Sequence, residues 1–336
     1  AIRVCTHCRE QFWPKGGFWP GRPGDFDQTY PLRTSSYANV PLLRDTWLAA
    51  AYKRMLVEEI EACQPDVVLA YNLAPYHCAV SEPLAARKVK WVPIILDQDD
   101  PEEDRWETFA RQARGASGLI FLSDWGWRHC PVDLPRLHLD GGAERWRGDE
   151  NVEEGGKRVV YSGKFDDRYG GLDALFKIFA EVKDPACRFL LTGKDAKNRL
   201  AAYLRQEPRA EYCGFLDEYA LHELHRRASV FVNPRPPSVS DNRMTFPSKL
   251  IHYLSYGKPV ISTWTDGLAP EYLKLLHLSE TQEPVGYAAL IEKALAASVE
   301  SRLVGLQQME RWIKETHTWD IQAARLVQWV RESVVA

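Results

Sequence analysis

Cysteine is too sparse and too scattered here to build a disulfide framework. The 336 residues carry seven, an odd number, and no repeating spacing links them. Cys5 and Cys8 form the one close pair. A zinc or redox site would need a second pair of ligands, and no Cys/His pair follows at suitable spacing. Plain, partly buried thiols and no metal are expected. No apolar run reaches the roughly eighteen residues that a membrane-spanning helix needs. No N-terminal stretch has the form of a signal peptide, so a cytoplasmic protein is expected. Positive charge is not in excess either: 43 Lys and Arg stand against 46 Asp and Glu, a net charge of −3. That balance argues against a general nucleic-acid binder.

What the chain does have is apolar residues in two separate alternations. Hydrophobic residues make up 45%, enough for a core in each of about two domains at this length. After a first strand near Ile2 to Cys5, the stretch 18–43 is punctuated by Pro20, Pro23, Pro31 and Pro41. It shows no helical period and reads as a long loop, of the kind that often carries function. A helix is expected over 44–62. Strands follow at 65–70, 92–96, 118–122 and 137–139, with helices over 79–87 and near 103–114. Residues 143–157 are polar and acidic, and read as an interdomain linker. A second alternation starts at Arg158, with strands at 159–161, 188–191, 211–214 and 230–232, one helix over 172–182 and another around 217–228. Helices are expected over 286–298 and 301–315, and an amphipathic one over 318–331. Short continuous apolar strands alternating with helices predict parallel sheets covered on both faces.

Thr245 to Thr263 is the densest stretch of information. Pro247 fits the first turn of a helix, where its missing N–H costs nothing. Leu250, Ile251 and Leu254 supply an apolar side. Gly257 can end the helix in a left-handed conformation, and Val260 to Thr263 continues as a strand. The N–H groups of Ser248 and Lys249 then stand at a helix start beside the Lys249 ammonium. Together they predict an anion site, with a phosphate-bearing ligand as its natural occupant.

Phe246 to Ile261 resembles the donor-binding segment of family-four glycosyltransferases of the two-domain GT-B fold. Many of those proteins carry Phe-Pro-Ser-Lys-Leu, then a Glu-Tyr pair, then Gly-x-Pro-Val-Ile. His252 stands here where the family has Glu. The resemblance covers roughly residues 65–331 and is strongest over 158–263. It implies two Rossmann-like domains facing a cleft. The expected division is an acceptor-binding domain over 1–142, a linker over 143–157 and a nucleotide-sugar-binding domain over 158–315. The last segment, 316–336, would cross back as a helix onto the first domain.

The resemblance also distributes roles. Gly163 to Gly171 is similar to the family's Gly-rich loop whose two cations hold the donor diphosphate. Lys164 falls on its Arg, and Arg168 stands one residue before the place of its Lys. Charge-assisted hydrogen bonds from Lys164 and Lys249 would stabilise the leaving diphosphate without a metal. Gly193 closes another strand-end turn. Arg235 either shapes the nucleotide pocket or braces the 245–263 block. The family's two Glu positions are Met244 and His252 here, so Asp241 or Asn242, just before Met244, would substitute for the first. His252 can offer a ring nitrogen to a ribose hydroxyl. Pro247, Ser248 and Leu250 complete the expected donor contacts. In the first domain Gly16 and Gly17 resemble the family's first Gly-rich loop, and Asp99 would orient the sugar or the acceptor hydroxyl.

The activity implied is transfer of a hexosyl or deoxyhexosyl unit from a nucleotide-diphosphate sugar, with retention and no cofactor. The acceptor would be a glycan, a lipid-linked molecule or a small natural product. Arg128, His129, Arg136, His138, Arg145 and Arg147 add a basic bias that would support weak contact with anionic lipid at the inner membrane surface. A second reading is a non-catalytic GT-B subunit that binds a glycan or a partner protein, motivated by the missing Glu residues. A third is a nucleotide-sugar epimerase of similar fold.

Overall fold

A computed structural model describes residues 4–7, 17–19, 23–26, 30–40, 44–73, 81–96, 103–148, 156–167, 170–195, 198–236, 240–279 and 283–336. Strands β1 (Val4–His7), β2 (Gly17–Trp19), β3 (Pro23–Phe26), β4 (Tyr30–Ser35) and β5 (Tyr37–Asn39) open the chain. Next come β6 (Val67–Tyr71), β7 (Lys90–Ile95), β8 (Leu119–Phe121) and β9 (Arg136–His138). The last six are β10 (Arg158–Ser162), β11 (Arg188–Thr192), β12 (Ala210–Tyr212), β13 (Val230–Asn233), β14 (Val260–Ser262) and β15 (His277–Leu278).

β6 to β9 pair in parallel and in chain order, and β10 to β15 form a six-stranded parallel sheet ordered β12-β11-β10-β13-β14-β15. Successive strand residues point to opposite faces, and in the six-stranded sheet both faces are apolar. Val159, Tyr161, Val230, Val232 and Ile261 enter one core cluster, while Val160, Phe231 and Val260 enter the other. Helices cover both sides, which is why these strands read as continuous apolar runs.

The four-stranded sheet solves the same problem with the end of the chain. Trp91, Ile95, Leu119 and Phe121 pack on one face. Val92 and Ile120 on the other face meet Leu326, Trp329, Val330 and Val334. The helix Trp319–Trp329 and the wider turn Val330–Val335 therefore cross back onto the first sheet, as expected. The fit is close: a Cβ on Gly118 would sit 2.7 Å from the Trp329 ring. Two parallel sheets covered in this way make a GT-B architecture.

The stretch 18–43 is a correction. Four of the five opening strands lie there, with β3–β4 and β2–β5 pairing antiparallel. Prolines hid them, yet Pro23 and Pro31 sit where a missing N–H is tolerated, while Pro20 and Pro41 lie outside the described residues. Pro23 is on the edge strand β3, and Pro31 lies one residue before Leu32, the first residue of β4 that pairs with β1. Two short helices, Asp124–His129 and Leu200–Gln206, were also not expected. The first begins at Ser123, whose Oγ accepts from the Gly126 N–H, and is too short and too Trp-rich to show a period.

Cys63, Cys130, Cys187 and Cys213 are free thiols, while Cys8 and Cys78 lie outside the described residues. Among the described residues no helix is long and apolar enough to cross a membrane. Much of the expected basic bias is spent internally. Arg136 donates to the Cys130 carbonyl at 2.6 Å, Arg128 to Asp124 at 2.6 Å and Arg147 to Glu144 at 2.6 Å.

Candidate functional site

Strand order locates the crevice. Numbered from β10, the second sheet runs 3-2-1-4-5-6, and chain direction across it reverses between β10 and β13. Ligands of doubly wound sheets bind at such a switch point, beyond the carboxyl ends of the strands. Here those ends are Ser162-Gly163, Thr192-Gly193 and Asn233 to Arg235.

The two glycines shape the crevice floor. Gly163 has φ of +152° and Gly193 φ of +141°. The Gly163 N–H donates to the Thr192 carbonyl at 3.0 Å, and the Gly193 N–H to the Gly214 carbonyl at 3.1 Å. A Cβ on Gly193 would fall 1.8 Å from the Gly163 oxygen. Backbone therefore packs on backbone, which no other residue permits. The loop after Gly163 is held from below by Tyr161, whose hydroxyl lies 2.7 Å from the Lys164 carbonyl and 3.2 Å from that of Gly170. The Gly170 N–H donates to Asp166 at 2.9 Å. Gly171, at φ of +66°, closes the loop against the Pro234 carbonyl. The Lys164 side chain stays exposed.

Lys249 brings the charge. Its Nζ lies 4.4 Å above the Tyr161 ring, and only 2.8 Å from where a Gly163 Cβ would be. Burial of its ammonium, reinforced by the nearby Arg235 charge and opposed by Asp166, pushes its pKa down to about 7. A desolvated ammonium at a strand-end turn is held in readiness for an anion.

Arg235 is the brace rather than the pocket wall. Its guanidinium is buried and donates to the Asn242 carbonyl oxygen at 2.5 Å and to the Thr245 hydroxyl. Asn242 in turn donates to the Pro236 carbonyl at 2.7 Å. Asn242 is thus consumed in holding the turn before the 245–263 block, which corrects its expected role as a stand-in for a ligand-binding Glu. Arg235→Ala is expected to lose about 3 kcal/mol or more, because two buried partners are orphaned. Arg235→Lys should not rescue it, since an ammonium lacks the fork that spans both acceptors. Denaturant midpoints of the two variants check this.

The block needs a further correction. Its helix is Lys249–Leu254, only six residues. The Ser248 N–H already donates to the Phe246 carbonyl at 3.0 Å, and the Leu250 N–H to the Pro247 carbonyl at 2.9 Å. Leu250 is fully buried in the core and Pro247 is buried beside it. Of the two N–H groups expected to face an anion, that of Ser248 is therefore taken, and the block offers the Lys249 side chain and the exposed Ser248 beside it. Gly257 ends the helix at φ of +65°, as expected.

His252 opens onto a cavity of about 230 Å³ lined by Leu221, His222, Ser248, Tyr256 and Trp319 among others. Its Nε2 lies 3.0 Å from His225 Nδ1, and His225 Nε2 lies 3.1 Å from Ser162 Oγ. Burial, helped by neighbouring positive groups, lowers His252 to about 4 and His225 to about 3. Both rings are therefore neutral at pH 7, and His252 faces the cavity as a hydrogen-bonding group rather than a charge. The sequence offered no signal for this relay, because its three members come from β10 and two separate helices. Met244 is buried against Gly126 of the first half.

Gly163, Gly193, Lys249 and the Lys164 backbone meet in one place, with Arg235 and Asn242 behind them. Gly17 lies in β2, paired with Asn39. Asp99, with the rest of the 97–100 acidic run, Arg168 and Gly16 lie outside the described residues. The first half reaches this site through its own strand ends. The Asp124 N–H donates to the Gly267 carbonyl at 3.1 Å, Ser123 Oγ donates to the Arg243 carbonyl, and Arg243 lies 4.6 Å above the Trp125 ring. In sum, an ammonium stands over two glycine turns, beside a cavity whose walls carry His252, Ser248 and Tyr256 together with Glu144, Arg147 and Glu218.

The comparisons with known proteins converge. The profile of the family described as Glycosyl transferases group 1 matches residues 156–328. No curated protein matches the sequence. Among solved structures, the chain is similar to the sucrose-phosphate synthase of Thermosynechococcus elongatus, at 17% identity and a TM-score of 0.69, over 92% of this chain and 85% of that one. It is also similar to an E. coli structure described as trehalose-6-phosphate bound with UDP-2-fluoro glucose, at 12% identity and a TM-score of 0.67, over 98% and 99% of the two chains. A third is a lipopolysaccharide outer core galactosyltransferase in its apo form, at 12% identity and a TM-score of 0.61, over 90% and 84%. At these identities the structures speak for the fold.

Proposed function

We propose, from the premise that this chain belongs to the glycosyl transferases group 1, that it moves a hexosyl or deoxyhexosyl unit from a nucleotide-diphosphate sugar to an acceptor hydroxyl. The acceptor classes that fit are a glycan, a lipid-linked molecule or a small natural product. One observation carries the reading: the Lys249 ammonium stands over the Gly163 turn at the sheet's switch point. A ligand related in kind is bound in the E. coli structure, a UDP sugar analogue.

In this reading residues 158–315 bind the donor and residues 1–142 the acceptor. The donor diphosphate lies against the Gly163 and Gly193 turns, within reach of Lys249 and Lys164. His252, neutral and facing the adjoining cavity, serves the ribose. As the bond from the anomeric carbon to the leaving phosphate oxygen breaks, charge gathers on that oxygen, and the two ammonium groups stabilise it. The acceptor oxygen attacks the same face of the sugar, and its proton passes to the leaving phosphate. The configuration is retained, and neither an enzymatic nucleophile nor a metal takes part in the step. Asp99 orients the acceptor hydroxyl.

The buried state of Lys249 adds a pH signature. A bound diphosphate favours the ammonium form, so binding draws a proton whenever the free site is deprotonated. Affinity for a nucleoside diphosphate should therefore be flat below about pH 7 and fall as pH rises above it, since the free Lys249 pKa is about 7. The expected slope approaches tenfold per pH unit until the pKa of the complex is reached. Lys249→Arg should abolish the slope.

Calorimetric titration with UDP, GDP and dTDP, followed by donor hydrolysis and transfer assays, tests the reading. Selective binding of one nucleotide with turnover of its sugar conjugate is expected. Binding without hydrolysis or transfer with any donor or acceptor would favour a non-catalytic subunit, the reading motivated by Met244 and His252 at the two Glu positions. Binding of none would sink the donor site altogether.

A further inference from the structure

A second cluster lies away from the crevice, where the chain crosses between the two sheets. Asp140 follows β9 by two residues, and His317 caps the end of the helix Val299–Thr316. Glu271 stands in the turn Pro270–Lys274 beyond β14. The backbone here is shared by both halves: the Ala143 N–H donates to the His317 carbonyl at 2.7 Å, and the Trp319 N–H to the Ala143 carbonyl at 3.1 Å. One ligand atom from each of Asp140, Glu271 and His317 lies within 4.8 Å of the other two. Asp140 and His317 are each only 3% exposed, while Glu271 is exposed and opens a path to solvent.

We propose that Asp140, Glu271 and His317 form a binding site for one divalent metal ion of the zinc class at this crossing. The spacing supports it. Asp140 Oδ1 and His317 Nε2 are 3.2 Å apart, and a tetrahedral ion with bonds of about 2.0–2.1 Å holds its ligand atoms roughly 3.3 Å apart. Two carboxylates and one imidazole suit zinc, with water in the fourth position.

The atoms behind the ligands point the same way. The Thr316 hydroxyl donates to the Trp312 carbonyl, so its oxygen is left to accept from His317 Nδ1, at 2.7 Å. That bond puts the Nδ1 proton on the far side of the ring and turns Nε2 toward the two carboxylates. The Trp312 ring stacks on the imidazole at 3.7 Å and fixes its plane. Asp140 Oδ2 accepts from the Tyr272 hydroxyl at 2.7 Å, leaving Oδ1 to face Nε2. Metal ligands are oriented by such outer partners as a rule. Among the described residues no hydrogen bond holds the Glu271 carboxylate. Arg128, the cation that acts on Glu271, is itself bonded to Asp124 at 2.6 Å.

Binding replaces whatever proton sits between Nε2 and Asp140 and draws Glu271 inward. The ion would tie the last residue of the first sheet's final connection to a turn of the second sheet and to the start of the returning helix. It would thus set the crossing between the halves and take no part in the transfer step.

The test uses the full chain, stripped with a chelator, dialysed and titrated calorimetrically with Zn²⁺ alone. One ion per chain with micromolar or tighter affinity is expected, and Co²⁺ should give the intense visible absorption of a tetrahedral site. Glu271→Gln, a change at an exposed side chain that leaves the buried pair in place, should weaken Zn²⁺ binding tenfold or more. His317→Gln should abolish it. The absence of saturable binding to the intact chain would overturn the proposal. Binding left unchanged by both Glu271→Gln and His317→Gln would overturn it equally, because the ion would then sit elsewhere.

Discussion

Lys249→Met should lose about ten- to a hundredfold in affinity for a nucleoside diphosphate while the protein becomes no less stable. The loss follows from removing the ammonium that stands over the Gly163 turn, whose charge-assisted bonds are worth about 1.5–3 kcal/mol. The stability half of the prediction follows from the sign of the pKa shift. Lys249 falls to about 7 in the fold, against about 10.4 for an ordinary lysine. Between those values the unfolded chain binds more protons than the folded one. Folding is therefore opposed by this residue at and below neutral pH, and the penalty fades as pH rises toward 10. Its size is on the order of 4–5 kcal/mol, less whatever the contact with the Tyr161 ring returns. Methionine keeps the apolar stem and removes the charge. An unchanged or higher Tm at pH 6.5, with binding gone, would mark Lys249 as a residue kept at a cost to stability. A drop in Tm would show that it serves packing instead, and the anion seat would need another cation.

Gly193→Ala is the second large effect, and it is expected to remove both stability and nucleotide binding. A methyl group at Gly193 would stand 1.8 Å from the Gly163 oxygen, on a backbone at φ of +141°. Neither strand end can yield without breaking its ladder, because the Gly163 N–H is bonded to Thr192 and the Gly193 N–H to Gly214. Strain and clash together should cost about 3 kcal/mol or more. Gly214→Ala is the matched control. Gly214 has φ of +80°, yet nothing lies within 4 Å of its Cβ position. It should lose only about 1 kcal/mol, the conformational penalty alone. Thermal melts with and without UDP separate the two. Equal losses would mean that the backbone contact at Gly193 is not what shapes the crevice.

These two residues also show how far the sequence could be read. Lys249 stood out because the segment around it has a helix start, an apolar side and a glycine end. Gly163 and Gly193 stood out because each follows a buried strand. The same segment misled on its N–H groups. A helix start offers free donors only if no carbonyl folds back onto them, and here the Phe246 carbonyl takes the Ser248 N–H. Arg235 had two roles open to it, and the choice fell to Asn242 and Thr245, partners seven and ten residues away. The His252–His225–Ser162 relay joins residues up to 63 positions apart. Local pattern carries no information about such pairs.

By itself the sequence determined the alternation of strands and helices in two halves, the apolar strands that demand cover on both faces, and the amphipathic last helix. Period, glycine conformation and apolar runs are local properties, and these features depend on nothing else. Tertiary structure alone decided the strand order, and with it the switch point where the crevice opens. It decided which donors were already taken, how far Lys249 would be stripped of water, and that Asp140, Glu271 and His317 would meet. The physical reason is the same for each: a buried polar group is defined by the partner that packing brings to it, and that partner comes from another part of the chain.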